Sequence, residues 1–266
     1  MLNTKTLFTW AALSIAPLAA WAGDSIQTDR PDFVESSNTV GKGVFQIETS
    51  VGWSRDKSAG VIISELSTPT LLRYGISSDW EVRLESNGRM HQTTDDPVTP
   101  PKSRESGYAD YSLGVKWHQT DGDDKTGAPS VGWLFHLDMP GGSDAFNTSE
   151  VRPSVRGVAE WELPDDFSLG VMGGVTYGAN DAGDRYWAPI LGVVLGKSFS
   201  DKLRGFFEFS GEEFRRKADG GSSLALNAGV AYLVTRDVQA DMVFSHGLNQ
   251  YTPDYTLGFG LSLRFN

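Results

Sequence analysis

Tyr255-Thr-Leu-Gly-Phe-Gly-Leu-Ser-Leu-Arg-Phe265 places an apolar side chain at every second position. In an extended chain successive side chains face opposite sides, so Tyr255, Leu257, Phe259, Leu261, Leu263 and Phe265 share one face. Thr256, Gly258, Gly260, Ser262 and Arg264 share the other. A soluble β-sandwich, the rival reading, needs bulk on the face it buries. Here the second face is small or charged, and it stays so in strand after strand. That pattern fits a barrel with its apolar side toward lipid and its polar side toward a lumen.

Working back through the chain, the same alternation predicts strands over 44–53, 66–74, 80–85, 110–118, 131–139, 152–161, 167–177, 191–195, 203–210, 224–232, 238–245 and 255–265. Residues 88–107, rich in Asp, Pro, Ser and Thr, are expected to be a long polar loop. The fold class is all-β: a transmembrane antiparallel up-and-down β-barrel of about 12 strands, an even number as single-chain bacterial barrels require. Short and longer connections alternate, as periplasmic turns and outer loops do. Aromatic residues at many strand ends could form the two interfacial girdles.

Three segments are expected. Residues 1–22 read as a cleaved signal peptide: Lys5 gives a basic start, 7–20 form an apolar run of 14 residues, and Ala20-Trp21-Ala22 is a small-x-small cleavage site. That run is too short to span a bilayer as a permanent helix, which takes about 20 residues. Residues 23–43 form a periplasmic leader without strand pattern, and 44–266 form the barrel. The net charge of −11 becomes −12 once Lys5 is removed, and such acidity disfavours nucleic acid as a partner. The chain has no Cys, so stability must come from strand pairing and closure instead of disulfides.

Several stretches carry a family likeness: Thr28-Asp29-Arg30-Pro31-Asp32-Phe33-Val34-Glu35-Ser36, Gly43-Val-Phe45-Gln46-Ile47-Glu48 and Leu72-Arg73-Tyr74-Gly75. Asp110-Tyr-Ser-Leu113-Gly114-Val-Lys116, Pro140-Gly-Gly-Ser-Asp144-Ala-Phe146 and the terminal Arg264-Phe265 add to it. The chain resembles the phenol-degradation (MetA-pathway) outer-membrane transporter family over nearly all of its mature length. The Asp-Arg-Pro-Asp opening is the most specific element. The resemblance implies an outer-membrane channel or transporter for small solutes, aromatic or hydrophobic compounds among them. One departure is Asn266, which follows the Phe265 that the barrel-assembly machinery would read.

Strand parity selects the residues that should line the lumen. The basic ones are Arg73, Arg83, Lys116, Arg152, Arg156, Arg204 and Arg264, with His136 beside them. The acidic ones are Glu48, Glu81, Glu85, Asp138, Glu160, Glu208 and Asp241. Ionisable groups inside a protein must be paired or hydrated. These residues either cross-link a filled interior or line a narrow wet pore. The many inward Gly and Ser residues favour the pore, and a mixed-sign wall predicts weak ion selectivity. The leader is either an export spacer or a plug in which Asp29, Arg30, Pro31 and Asp32 enter the barrel mouth and pair with the wall.

Other chemistry is weaker. Ser245-His246-Gly247-Leu248-Asn249 has the residue types that outer-membrane phospholipase A uses, so an outer-membrane lipid hydrolase is the alternative function. However, adjacent Ser and His on a strand point to opposite faces and cannot share a proton. A structural or adhesion barrel is a third reading. The four His residues have no metal-ligand spacing, and Asp121-Gly-Asp-Asp124 lacks the downstream acid of a calcium loop, so no metal or cofactor is expected. Expected partners are outer-membrane lipid and lipopolysaccharide, whose phosphates could meet Arg215-Arg216-Lys217, together with a small-molecule solute and the barrel-assembly machinery.

Overall fold

The computed structural model describes residues 25–99, 101–123, 125–148, 150–180 and 182–266, so the expected signal peptide lies outside the described residues. Among the described residues fifteen strands follow the leader. They are β1 (Phe45–Ser58), β2 (Val61–Ser67), β3 (Thr70–Gly75), β4 (Trp80–Ser86), β5 (Arg89–Asp95), β6 (Ser103–Tyr108), β7 (Tyr111–Thr120) and β8 (Ser130–Met139). The rest are β9 (Arg152–Leu163), β10 (Phe167–Ala179), β11 (Arg185–Ser200), β12 (Leu203–Glu213), β13 (Ser223–Thr235), β14 (Val238–Gly247) and β15 (Tyr255–Phe265). Each barrel neighbour pair is antiparallel, and β15 returns to β1 from Phe45↔Phe265 to Arg55↔Tyr255, which closes the cylinder.

The barrel has twelve strands because three of them are interrupted. β1 pairs with β3 along its first part and with β2 along its second, so β2 and β3 are one strand broken at Thr68-Pro69. β4 and β5 continue one another across Asn87-Gly88, and β6 and β7 across Ala109-Asp110. Pro69 has no N–H for the ladder. Gly88 has a positive φ of 66°, and a Cβ there would lie 2.3 Å from the Thr68 carbonyl oxygen, so glycine is required at this crease.

Above the crease β2, β5 and β6 form an extension, which corrects the expected loop over 88–107: β5 and β6 pair from Arg89↔Tyr108 to Thr94↔Ser103. The difference has a physical cause. Strands beyond the hydrocarbon need no apolar face, so the alternation that marks the other strands is missing.

The wall is inverted relative to a soluble core. Phe207 is 57% and Phe259 55% exposed on the outside, whereas Glu208 is 1% and Ser262 0% exposed on the inside. No helix among the described residues is long and apolar enough to cross a membrane; the crossing elements are strands. Both termini of the barrel, Phe45 and Phe265, lie at the end that carries the tight turns at Pro164–Asp166, 201–202 and 236–237. The longer connections 140–151, 180–184, 214–222 and 248–254 lie at the other end.

Candidate functional site

The leader, residues 25–44, enters the lumen at the tight-turn end and returns to it. The Ile26 N–H donates to the Arg236 carbonyl oxygen at 2.8 Å in the β13–β14 turn, and the Gly43 N–H donates to the Gly75 carbonyl oxygen at 2.8 Å. Between these points it has no regular structure, so its backbone N–H groups need other acceptors. Inward carboxylates supply them. Glu48 accepts from the Asp29 and Arg30 N–H groups, each at 3.0 Å, and Glu208 accepts from Phe33 at 3.0 Å and Val34 at 2.7 Å. Glu160 accepts from Ser37 N–H at 2.6 Å, and Glu81 from Val40 N–H at 2.9 Å.

Charged side chains of the leader find opposite charges on the wall. Asp29 receives Lys116 Nζ at 2.7 Å and Arg83 Nη1 at 2.6 Å, with Arg73 Nη1 at 3.4 Å. Arg73 in turn holds Glu81 at 2.8 Å and Glu48 at 2.9 Å. No side chain in this cluster is more than 3% exposed. Strand register explains the grouping: Arg73 stands opposite Arg83, and Glu81 opposite Lys116, so four inward groups from three neighbouring strands converge. Beside them Glu35 bridges Arg83 at 2.6 Å and Arg156 at 2.8 Å, Asp32 takes Arg204 at 2.6 Å, and Arg30 reaches Asp241 at 3.3 Å. Pro31 is buried within this stretch.

Other inward residues also pair within the wall. Arg264 bonds Asp237 at the tight-turn end, at 2.7 Å, and Arg152 pairs with Glu213 towards the other end. His136 Nε2 lies 3.4 Å from Glu85 Oε1, and neither ring nitrogen has a hydrogen-bond partner. Asp138 stands across from Arg152 in register. His246 faces outward, with Nδ1 2.9 Å from the Asp254 carbonyl oxygen and its ring on Tyr255. Arg215 and Arg216 are tied to Glu213 and Asp219 at 3.1 and 2.7 Å.

The inner wall also carries an apolar stripe that strand parity does not reveal. Leu134, Val158, Met172, Ile190, Val194 and Phe206 form a buried cluster with Val34 of the leader, and Phe33 packs against it. A signal for it was present: Leu134 lies between Trp133 and Phe135, and Val194 between Val193 and Leu195, so each breaks the alternation with an apolar residue of inward parity. Glycine makes room for the contact. A Cβ at Gly192 would lie 2.6 Å from Val34 Cγ2 and 3.0 Å from Phe33 Cδ1.

Two chambers open at the tight-turn end, one on each side of the leader. The larger, about 530 Å³, is bounded by Asp32, Val34, Ser168, Gly170, Val194 and Arg204 among others. The smaller, about 420 Å³, is bounded by Lys42, Gln46, Ser78, His118 and Arg264 among others.

Comparison with known proteins agrees with this architecture. The profile of a family described as "Putative MetA-pathway of phenol degradation" matches residues 28–265. No curated protein matches the sequence. Among solved structures, the COG4313 outer membrane channel from Pseudomonas putida F1 is similar with a TM-score of 0.64 at 11% identity, covering 86% of this chain and 98% of that one. The KdgM porin is similar with a TM-score of 0.51 at 11% identity, covering 83% and 99%. The beta domain of the Bordetella autotransporter Brka is similar at 0.52 and 12% identity, covering 84% and 100%. A channel, a porin and an autotransporter domain share the barrel, so the likeness is one of fold.

Proposed function

The chain belongs to the MetA-pathway phenol-degradation family, and from that premise we propose that it is an outer-membrane channel for small solutes, including aromatic or hydrophobic compounds. Transport is passive and involves no covalent step. The observation that carries this reading is the mixed lumen: a buried charged cluster on β1, β3, β4 and β7, and on β8 to β12 an apolar stripe set among Arg156, Glu160, Arg204 and Glu208. A wall of both kinds can wet a narrow passage and still favour a solute with one apolar side.

In the same reading residues 25–43 act as a plug, with Asp29, Arg30 and Asp32 as its charged anchors, and the charges of inward parity are the lumen-lining set. The signal peptide directs export, the assembly machinery reads the strand ending at Phe265, and the apolar exterior meets lipid. Lipopolysaccharide phosphates would be met by the outer loops.

Planar-bilayer recording of the purified protein tests the proposal. The expected result is small discrete current steps that a small aromatic alcohol reduces. Deleting residues 24–40 should raise the step size several-fold. Unchanged steps after the deletion reject the plug, and no current from either protein rejects the channel.

A further inference from the structure

The leader is held unevenly around the wall. Among the described residues it exchanges hydrogen bonds or ion pairs with β1, β3, β4, β7, β8, β9, β12 and β14. β13 and β15 each stand between two strands that are bonded to the leader. β10 and β11 are the adjacent pair that gives the leader no polar contact. There the contact is apolar: Val34 and Phe33 lie against Gly170, Gly192 and Val194.

The larger chamber leads to this seam, since Val34, Gly170 and Val194 form part of its boundary. Apolar contact is non-directional and is re-formed after small displacements, whereas a hydrogen-bonded ion pair is tied to one geometry. A glycine floor also leaves free volume as soon as the Phe33 and Val34 side chains swing away from the wall, while Glu208 keeps their backbone N–H groups. At the chamber's edge stands the Asp32–Arg204 pair, whose arginine is 34% exposed, in contrast to the fully buried cations around Asp29.

Resting on the channel reading, we propose that solutes pass the leader along one seam, between Phe33–Val34 and the glycine-floored inner face of β10 and β11, while the anchors elsewhere stay closed. The leader then narrows the pore without leaving it. The solute class this seam admits is small and apolar on at least one side, because the passage surface is Val34, Val194 and bare glycine backbone. Arg204 and Asp32 set the charge preference at its mouth.

The chain has no cysteine, so single cysteines can be labelled without background. Ser168→Cys and Ser198→Cys lie in the larger chamber, and Ser78→Cys lies in the smaller one. Each is close to isosteric, and wild-type current before labelling shows that a variant has folded; the two larger-chamber sites back each other up. A negatively charged thiosulfonate reagent should lower unit conductance roughly twofold or more at either larger-chamber site and leave Ser78→Cys nearly unchanged. Block from the Ser78 side that equals or exceeds block from the Ser168 side overturns the seam while leaving the channel standing. A wild-type protein that passes no current overturns the channel reading and the seam together.

Discussion

On β3, β4 and β7 the leader meets Arg73, Arg83 and Lys116, which converge on Asp29; on β10 and β11 it meets Gly170, Gly192 and Val194. Both sectors bury the same short segment, but they hold it by different physics. The charged sector fixes position, because Asp29 completes the charge balance of Arg73, Arg83 and Lys116, and Lys116 has no other ion-pair partner among the described residues. The glycine sector merely excludes water, and its contacts tolerate sliding. The leader is thus held by charge on both flanks, at β9 and β12, and by apolar contact alone across β10 and β11.

The sharpest way to break the comparison is to remove the charged anchor. Asp29→Ala leaves three cations around one vacated site, and loss of one partner of a buried network costs about 3–5 kcal/mol. Urea titration of the folded protein in detergent should show that loss, with the leader becoming open to protease. A midpoint shift no larger than that of a surface variant would mean that the lumen is wet enough to screen these charges. The seam is attacked at Gly192, where a side chain would collide with Val34. Gly192→Val should cost less, about 1–3 kcal/mol as overpacking does. It should also lift Phe33 and Val34 and raise the unit conductance. Unchanged conductance, whether or not Phe33 and Val34 are displaced, would place the passage elsewhere.

A smaller effect is expected at the mouth. Arg204 is partly exposed, so Asp32→Asn should change stability by no more than about 1 kcal/mol. Its signature is electrical: the unpaired arginine should move the reversal potential in a salt gradient towards anion preference, and Arg204→Gln should move it the opposite way. If both variants move it in one direction, the pair is not beside the ion path.

Much of this barrel was legible because lipid imposes a strict rule. A strand such as Tyr255–Phe265 must show apolar side chains at every second place, and parity then assigns Glu48, Arg73, Lys116 and Glu208 to the inside. Where lipid is absent the rule lapses, which is why the hairpin of β5 and β6 looked like loop. The apolar inner stripe was hidden for a related reason: Leu134 between Trp133 and Phe135 leaves no polar residue to mark the inward side. Partner choice was legible only as matching charge. That Asp29 meets Lys116, 87 positions away, depends on how deep the leader enters, and no local pattern encodes depth.

The smallest expected effect lies outside both sectors and tests whether they are independent of the outer loops. Asp110, at the break between β6 and β7, accepts the Gly141, Gly142 and Thr148 N–H groups at 2.9, 2.8 and 2.6 Å, and the Thr148 hydroxyl at 2.7 Å. Burial pushes its carboxyl up, but these donors outweigh burial and hold the group below the usual carboxylate range. A carboxyl depressed in the folded state contributes its stabilisation above its unfolded pKa, about 4, and loses it as pH falls through the lower folded value. Amide exchange across 141–148 should therefore stay slow at neutral pH and quicken only in acid below the ordinary carboxylate range. Asp110→Asn should quicken it at every pH and abolish the acid step. Leader protection and the Ser168→Cys block should not change in that variant. If they do, the loop reaches the lumen, and the leader is governed from outside the barrel as well as by the two sectors of the wall.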